Sequence, residues 1–501
     1  MREAGRAKPL LAAAAALAVI GVAAVGFGLT SRPGSLRPAA NEFVNDRTGA
    51  EAHNSPSVAV DPRRSSTIAV ANRLDAPQLG CALSVSTNDG ATWAPIDRTP
   101  GLAAPNCFWP RVAYLPDGTL LVLYTDLVGV SLLPGGTWLQ RYDGDRRPAG
   151  APQKVAGDLA YHARMAVEGA RVWLSWVQAG PATGDNQLGF APGDNPVVVA
   201  RSTDGGRTFT PPVHVSNGQD RIIQPTVVVG AGPVVTVGAL DLADDVLDYQ
   251  ASHDGQTPPD ARLRWRVVAW TSLDGGATFG PKATVAGALV VPQLIIADLG
   301  PTPGFAADPR DGRLYATWDA GRGSARDCFV AASDDGGRTW SGAVRVGPTA
   351  NAQLLPAVSV APDGRVDVVF YDRSRDPQDF QQDLVVASSF DGGRSFRWAT
   401  VSDAPSDSRI GLGAQQGVPL QGDQLAALSR PDGALAFWAD TSRGSPAANV
   451  QDLAVASVEI TAHGGRRWAW AGVGGAVAAA GFALGLVGRA DSGKFGPHEL
   501  P

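Results

Sequence analysis

Three stretches of this chain set an aromatic ring, a carboxylate and a guanidinium close together: Trp318-Asp319 with Arg322, Tyr371-Asp372-Arg373, and Trp438 with Asp440 and Arg443. That combination suits a sugar or another polar, anionic ligand. A ring face stacks on apolar C–H surface, and arginine grips a carboxylate through two parallel N–H donors. The same Asp and Arg residues can instead brace neighbouring loops, so each triplet has a structural reading beside its chemical one. His53, Asn72, Arg73, Asp75, Arg111, Asp126 and Arg164 hold comparable places elsewhere, each where a strand-like run begins or ends.

Other chemistries find little support. The histidines are scattered without zinc spacing. Asp241, Asp244, Asp245 and Asp248 form an acidic loop that could take calcium or simply be solvated, and their spacing is not that of an EF-hand. Neither a glycine-rich phosphate loop nor a nucleophile elbow occurs. No metal or cofactor is therefore expected. The formal net charge of −6, without a basic block, argues against a nucleic-acid partner.

The elements that must position these residues are announced by a repeat. Ser202 to Phe209 (STDGGRTF) recurs as Ser272 to Phe279, Ser333 to Trp340 and Ser389 to Phe396. Ser86 to Trp93 carries Asn88 in place of the aspartate, and Ser131 to Trp138 is a worn copy with Leu133 there. The copies lie 45 to 71 residues apart, room for about four strands and their turns. Gly-Gly supplies positive φ, the Asp or Asn side chain caps turn amides, and the closing ring can pack between sheets. Strand pairs precede the copies, as in Ala357-Val358-Ser359-Val360 and Val366 to Phe370. Counting such pairs gives starts near Ser57, Val112, Met165, Thr226, Phe305, Ala357 and Leu425. The phrase resembles the Asp-box (BNR) repeat, S-x-D-x-G-x-T-[WF], of sialidases and related propellers. The fold expected is an all-β propeller of four-stranded blades, seven by this count and six by the sialidase pattern. The seventh unit lacks a box and ends after its third strand, so Asn41 to Asp46 is expected to supply the fourth and close the ring.

The resemblance implies a catalytic set of three arginines on the substrate carboxylate, a tyrosine nucleophile with a glutamate, and an acid/base aspartate. The family's opening R-I-P phrase reads His53-Asn54-Ser55-Pro56-Ser57 here, without arginine. Glu168 falls in a turn on the opposite face. The expected substitutes are Tyr371 with Asp372 as nucleophile pair, Asp75 as acid/base, and Arg111, Arg164 and Arg373 as the carboxylate clamp. Ligand contacts are expected from His53, Asn72, Arg73, Asp126, Trp318, Asp319, Arg322, Trp438 and Asp440. The reading favoured is a glycan-binding or cell-envelope-binding propeller. An exo-α-sialidase-type hydrolase with a rearranged site and a non-enzymatic interaction scaffold are the alternatives.

Both ends are apolar. Pro9 to Leu29 lies behind Arg2, Arg6 and Lys8 and reads as a signal anchor, and Trp468 to Gly488 is a second run of spanning length. The expected organisation is an anchor helix over 1–30, a linker over 31–40, the propeller over 41–461, a linker over 462–467, a transmembrane helix over 468–488 and a cytoplasmic tail over 489–501. That places the protein in the cell membrane with its propeller extracytoplasmic, and makes the membrane and a glycan or envelope component its partners. Cys81 opens a third strand and Cys107 precedes the next inner strand, on one face of neighbouring blades. A Cys81–Cys107 disulfide is expected, as suits an oxidising exterior, with Cys328 left over.

Overall fold

In the computed structural model the described residues are 35–461, without 48, 50, 99–105, 130–131, 181–194, 218–220, 244–263, 291–302, 322–324, 349, 412–420 and 446. The chain divides into two compact units, Arg37–Glu459 and the two ends; only Ser35, Leu36, Ile460 and Thr461 of the second are described. The apolar stretches 1–30 and 468–488 lie outside the described residues. Among the described residues no helix is long and apolar enough to cross a membrane.

Seven antiparallel sheets make up the larger unit, so the blade count is seven and not six. Their inner strands are His53–Asp61, Cys107–Tyr114, Ala160–Glu168, Ile222–Val229, Gly304–Ala307, Gln353–Val360 and Ala426–Arg430. Each is followed by a second strand, from Arg64–Leu74 in blade one to Gly433–Asp440 in blade seven. These second strands are buried along nearly their whole length, which explains their runs of Val, Leu and Ala. In blade seven Glu42–Phe43 pairs with Asp452–Thr461 through Glu42 opposite Val455 and Phe43 opposite Ala454. A closing strand thus comes from the N-terminal end of the domain, as expected, while Ser35–Pro38, inside the expected linker over 31–40, is also a β-strand, a correction to that reading.

The box turns share one geometry. Ser202 Oγ donates to Asp204 Oδ1 at 2.7 Å and accepts the Gly206 amide at 2.8 Å. Asp204 Oδ1 accepts the Arg207 and Thr208 amides, each at 2.9 Å, while Oδ2 accepts the Thr208 hydroxyl at 2.6 Å. Asp274, Asp335 and Asp391 repeat the pattern. Asn88 keeps it by donating its amide to the Thr92 hydroxyl at 2.9 Å. These carboxylates are consumed in holding turns. The worn copy is corrected: Leu133 to Trp138 lies inside the third strand of blade two, Leu133–Tyr142, and not after it. The turn at the equivalent place is Asp143 to Arg147, with Asp143 Oδ1 accepting the amides of Asp145 and Arg147.

The aromatic that ends each box fills the seam with the preceding blade. Trp93 meets Phe437 of blade seven edge-on, with ring centroids 5.9 Å apart. Phe209 joins Leu115, Leu121 and Leu139 of blade two. Apolar seams of this kind bury the faces of sheets that could not stand alone.

Candidate functional site: an arginine cluster on the propeller axis

A repeated backbone device prepares the site. Five inner strands break register at the same place, between Asn54 and Ser57, Phe108 and Arg111, Tyr161 and Arg164, Ile223 and Thr226, and Leu354 and Ala357. At each break one residue takes a left-handed conformation: Ser55 (φ 52°), Trp109 (48°), His162 (55°), Gln224 (54°) and Leu355 (52°). Such conformations cost on the order of 1–3 kcal/mol each outside glycine and persist where surrounding structure enforces them. The bulge re-aims the residue two places later. In blades two and three that residue is arginine, Arg111 and Arg164.

Arg111 and Arg164 are buried, and Arg73, at the end of the second strand of blade one, joins them. One carboxylate, Asp423, faces all three, with its oxygen 3.7 Å from Arg73 Nη1. Burial alone would raise the Asp423 carboxyl, but the charges of Arg73, Arg111 and Arg164 and the Ser55 hydroxyl hold it below the usual range. Arg164 is pushed down to about 10, chiefly by burial. Burial lowers Arg111 well below its ordinary value, and the positive charge of Arg164 adds to the effect. Both guanidinium groups rest on neutral acceptors. Arg111 Nη2 donates to Gln424 Oε1 at 2.6 Å, and Arg164 Nη2 to Gln224 Oε1 at 2.9 Å.

Arg73 has a second anchor. Its Nε donates to Asp75 Oδ1 at 2.6 Å and its Nη2 to Asp75 Oδ2 at 3.1 Å. Asn54 Nδ2 donates to the same Oδ2 at 2.7 Å. The guanidinium also lies over the Phe108 ring, 4.4 Å from its centroid. Three cations thus meet two carboxylates in a desolvated centre, an excess of positive charge facing the axis. Arg164, Asp423 and Gln424 line an axial cavity of about 150 Å³ together with Thr226, Phe305 and Leu355.

The other expected site residues separate. Arg373 does not join the clamp; it donates to Gln382 Oε1 at 3.1 Å and to the Asp379 carbonyl at 2.9 Å. Tyr371 and Asp372 do not act as a pair, because neighbours on a strand face opposite ways. The Tyr371 hydroxyl donates to the Ala439 carbonyl at 2.9 Å, in the interior. Asp372 accepts from the Ser374 hydroxyl. Asp75 is fully engaged by Arg73 and Asn54, the arrangement of a brace. Trp318 stacks on Phe329 in the core of blade five, and Trp438 is wholly buried, so neither ring lines a ligand rim. Asp319 is tied to Arg326 at 2.9 Å and to the Leu355 amide at 2.9 Å. Asp440 accepts from Ser442 at 2.6 Å. His53 Nε2 donates to Glu51 at 3.0 Å and Nδ1 accepts from Asn72 at 3.0 Å. Asp126 stands opposite Cys107 in the register of blade two. Arg322 lies outside the described residues, as do Asp244, Asp245 and Asp248. Asp241 pairs with Lys282 at 3.0 Å. Among the described residues no cluster of His, Cys, Asp or Glu could hold a metal ion.

Gln424 and Ser55 were missed by the sequence reading. The signal for Ser55 was present: Pro56, Pro110, Pro225 and Pro356 each follow a left-handed residue and precede a re-aimed one. Proline needs no ladder partner for its nitrogen, which suits a bulge. Cys81 and Cys107 form the expected disulfide beside this centre, with Cα atoms 5.5 Å apart.

The chain is similar to a sialidase of Micromonospora viridifaciens, at 27% identity over 348 residues, covering 60% of this chain and 49% of that protein. It therefore spans about half the length of the curated relative it matches. No protein-family model matches. Solved structures with a related outline include a PL25 ulvan lyase (13% identity, 85% of this chain and 96% of that one, TM-score 0.49). Others are an α-L-arabinofuranosidase of Fusarium graminearum (12%, 70% and 98%, TM-score 0.45) and the phage phi92 endosialidase (12%, 86% and 70%, TM-score 0.44). The class defined by the blades, the box turns and the sequence similarity is a sialidase-like β-propeller.

Proposed function

We propose that this chain is a membrane-tethered, extracytoplasmic propeller that binds a carboxylate-bearing sugar of a glycan or of the cell envelope at its axial arginine cluster. One observation carries the reading: Arg73, Arg111 and Arg164, from three successive blades, converge in a buried centre with more positive than negative charge. Desolvated guanidinium groups on neutral glutamine acceptors retain strong attraction for a carboxylate. The tether rests on the apolar stretches 1–30 and 468–488, with a linker over 462–467 and a cytoplasmic tail over 489–501. The outward orientation rests on the Cys81–Cys107 bond. The test is equilibrium binding of the purified full chain to glycans ending in acidic or neutral sugars. Retention of acidic glycans alone supports the proposal, and equal retention of both contradicts it.

A second reading, exo-α-sialidase-type hydrolysis, is favoured by the similarity to the Micromonospora sialidase. Turnover of a fluorogenic sialoside by the full chain, lost in both Tyr371→Phe and Arg111→Ala, would establish it. The interior hydrogen bond of Tyr371 speaks for binding over hydrolysis.

A further inference from the structure

Asp423 has an unusual setting for a counterion. It stands between the last outer strand of blade six and the inner strand of blade seven, in the segment Gln421-Gly422-Asp423-Gln424. Both flanks of the segment are tied down. Gln421 Nε2 donates to the Asp407 carbonyl at 2.6 Å and to Thr441 Oγ1 at 2.9 Å, while Gln424 Nε2 donates to the Pro56 carbonyl at 2.7 Å. Gly422 has φ +78°, and a Cβ there would meet Ser55 Oγ at 2.7 Å and Asn54 Cβ at 3.0 Å. Only glycine lets the backbone come so close to blade one, and the Asp423 amide donates to Ser55 Oγ at 3.1 Å. The segment delivers one carboxylate to the place where the charges of three arginines from three blades overlap.

We propose that Asp423 is an internal surrogate for the ligand's carboxylate, occupying the anion position of the arginine cluster until an incoming carboxylate replaces its charge there. This rests on the reading of the cluster as a carboxylate site. Arg73 has its own partner in Asp75, so Asp423 is not needed to hold it. Arg111 and Arg164 are oriented by Gln424, Gln224 and the carbonyls of Pro110 and Ala163. The arginines are thus positioned by other groups, and the Asp423 charge competes with any carboxylate drawn to the same spot. Asp423 lines the axial cavity, whose volume of about 150 Å³ is sufficient for a carboxylate group.

The test compares the full chain with its Asp423→Asn variant in titrations with N-acetylneuraminic acid. A surrogate predicts binding tighter in the variant by roughly tenfold or more, because one competing negative charge is gone. A supporting counterion predicts weaker binding; where wild type binds the sugar acid, equal or weaker binding by the variant overturns the proposal while leaving the glycan reading intact. Thermal unfolding of Asp423→Ala in sodium acetate and in sodium chloride of equal ionic strength gives a second measurement. The proposal expects acetate to raise the unfolding temperature of this variant well beyond chloride, with wild type responding alike to both salts. An identical response of the variant to the two salts overturns it. Should acetate act as expected while neither protein binds the sugar acid, the glycan reading falls and the surrogate stands.

Discussion

Removing the Asp75 carboxylate should destabilise the propeller by about 3 kcal/mol, the lower end of the range for breaking a buried ion pair. The estimate follows from the site. Arg73 and Asp75 side chains are 1% and 2% exposed, so neither charge is solvated in the folded state. Asp75→Ala takes away both hydrogen bonds to the guanidinium and the acceptor of Asn54 Nδ2. Asp423 remains 3.7 Å from Arg73 and compensates part of the charge, which keeps the cost away from the upper end. Asp75→Asn retains the shape and an acceptor for Asn54, and should cost about half as much. Urea unfolding of the purified full chain, read by tryptophan fluorescence at constant slope, measures both. The sugar-binding loss in Asp75→Ala should follow the disorder of Arg73, so affinity and stability fall together. A variant within about 0.5 kcal/mol of wild type would refute the argument that Asp75 is a brace.

Other consequences follow from the same physics. Asp367 accepts Arg365 Nε at 2.9 Å and the hydroxyls of Ser388 and Ser429, each at 2.6 Å, and Arg365 also reaches the Gly433 carbonyl of blade seven at 2.6 Å. Asp367→Ala should therefore cost about 3–5 kcal/mol, with the Arg365→Met/Asp367→Leu pair costing clearly less, as a double-mutant cycle would show. Opening the disulfide with Cys81→Ser and Cys107→Ser removes a closure across 26 residues and should lower stability by about 3.5 kcal/mol, measured by urea unfolding. The Asp440 carboxyl is raised by burial, with the negative charge of Asp452 adding to it, so its ionised form weakens the fold above the unfolded carboxyl value. Asp440→Asn should stabilise at neutral pH, and the gain should vanish below about pH 4, where the acid is protonated in both states. The box aspartates carry the opposite sign. Burial pushes the Asp335 carboxyl up, but the hydroxyl and amide of Thr339, the Ser333 hydroxyl and the Arg338 amide together hold it down at about 2. Its contribution is present above the unfolded carboxyl range and is lost as pH falls toward 2, which an acid-unfolding curve of Asp335→Asn would register as a missing step.

The architecture was legible because it is written in turn chemistry. The Ser-x-Asp-x-Gly phrase specifies a local hydrogen-bond set that needs no tertiary information, and its recurrence counts most of the blades. The disulfide followed from the same parse, since strand order alone puts Cys81 and Cys107 on one face. Proximity across the axis was not legible in this way. Arg73, Arg111 and Arg164 meet because three successive blades are neighbours in a ring: Arg111 and Arg164 follow bulges at one height of their inner strands and Arg73 lies at the end of the second strand of blade one, which no local pattern of aromatic, carboxylate and guanidinium displays. Arg373 looked as promising as Arg111, yet it closes a loop within its own blade. Trp318 misled for a simpler reason: strand alternation sends it and its neighbour Asp319 to opposite faces, whereas Trp438, two residues from Asp440, is wholly buried. The prolines after the left-handed residues were the overlooked signal; they mark four of the five bulges, among them the one that aims Arg111.

The most direct measurement is a calorimetric titration of the full chain with N-acetylneuraminic acid and with its methyl ester, in wild type and in Arg111→Met and Arg164→Met. The account predicts that wild type prefers the acid by roughly tenfold or more, and that each substitution removes that preference. Equal affinity for acid and ester, or a preference that survives both substitutions, would contradict a carboxylate site on the propeller axis.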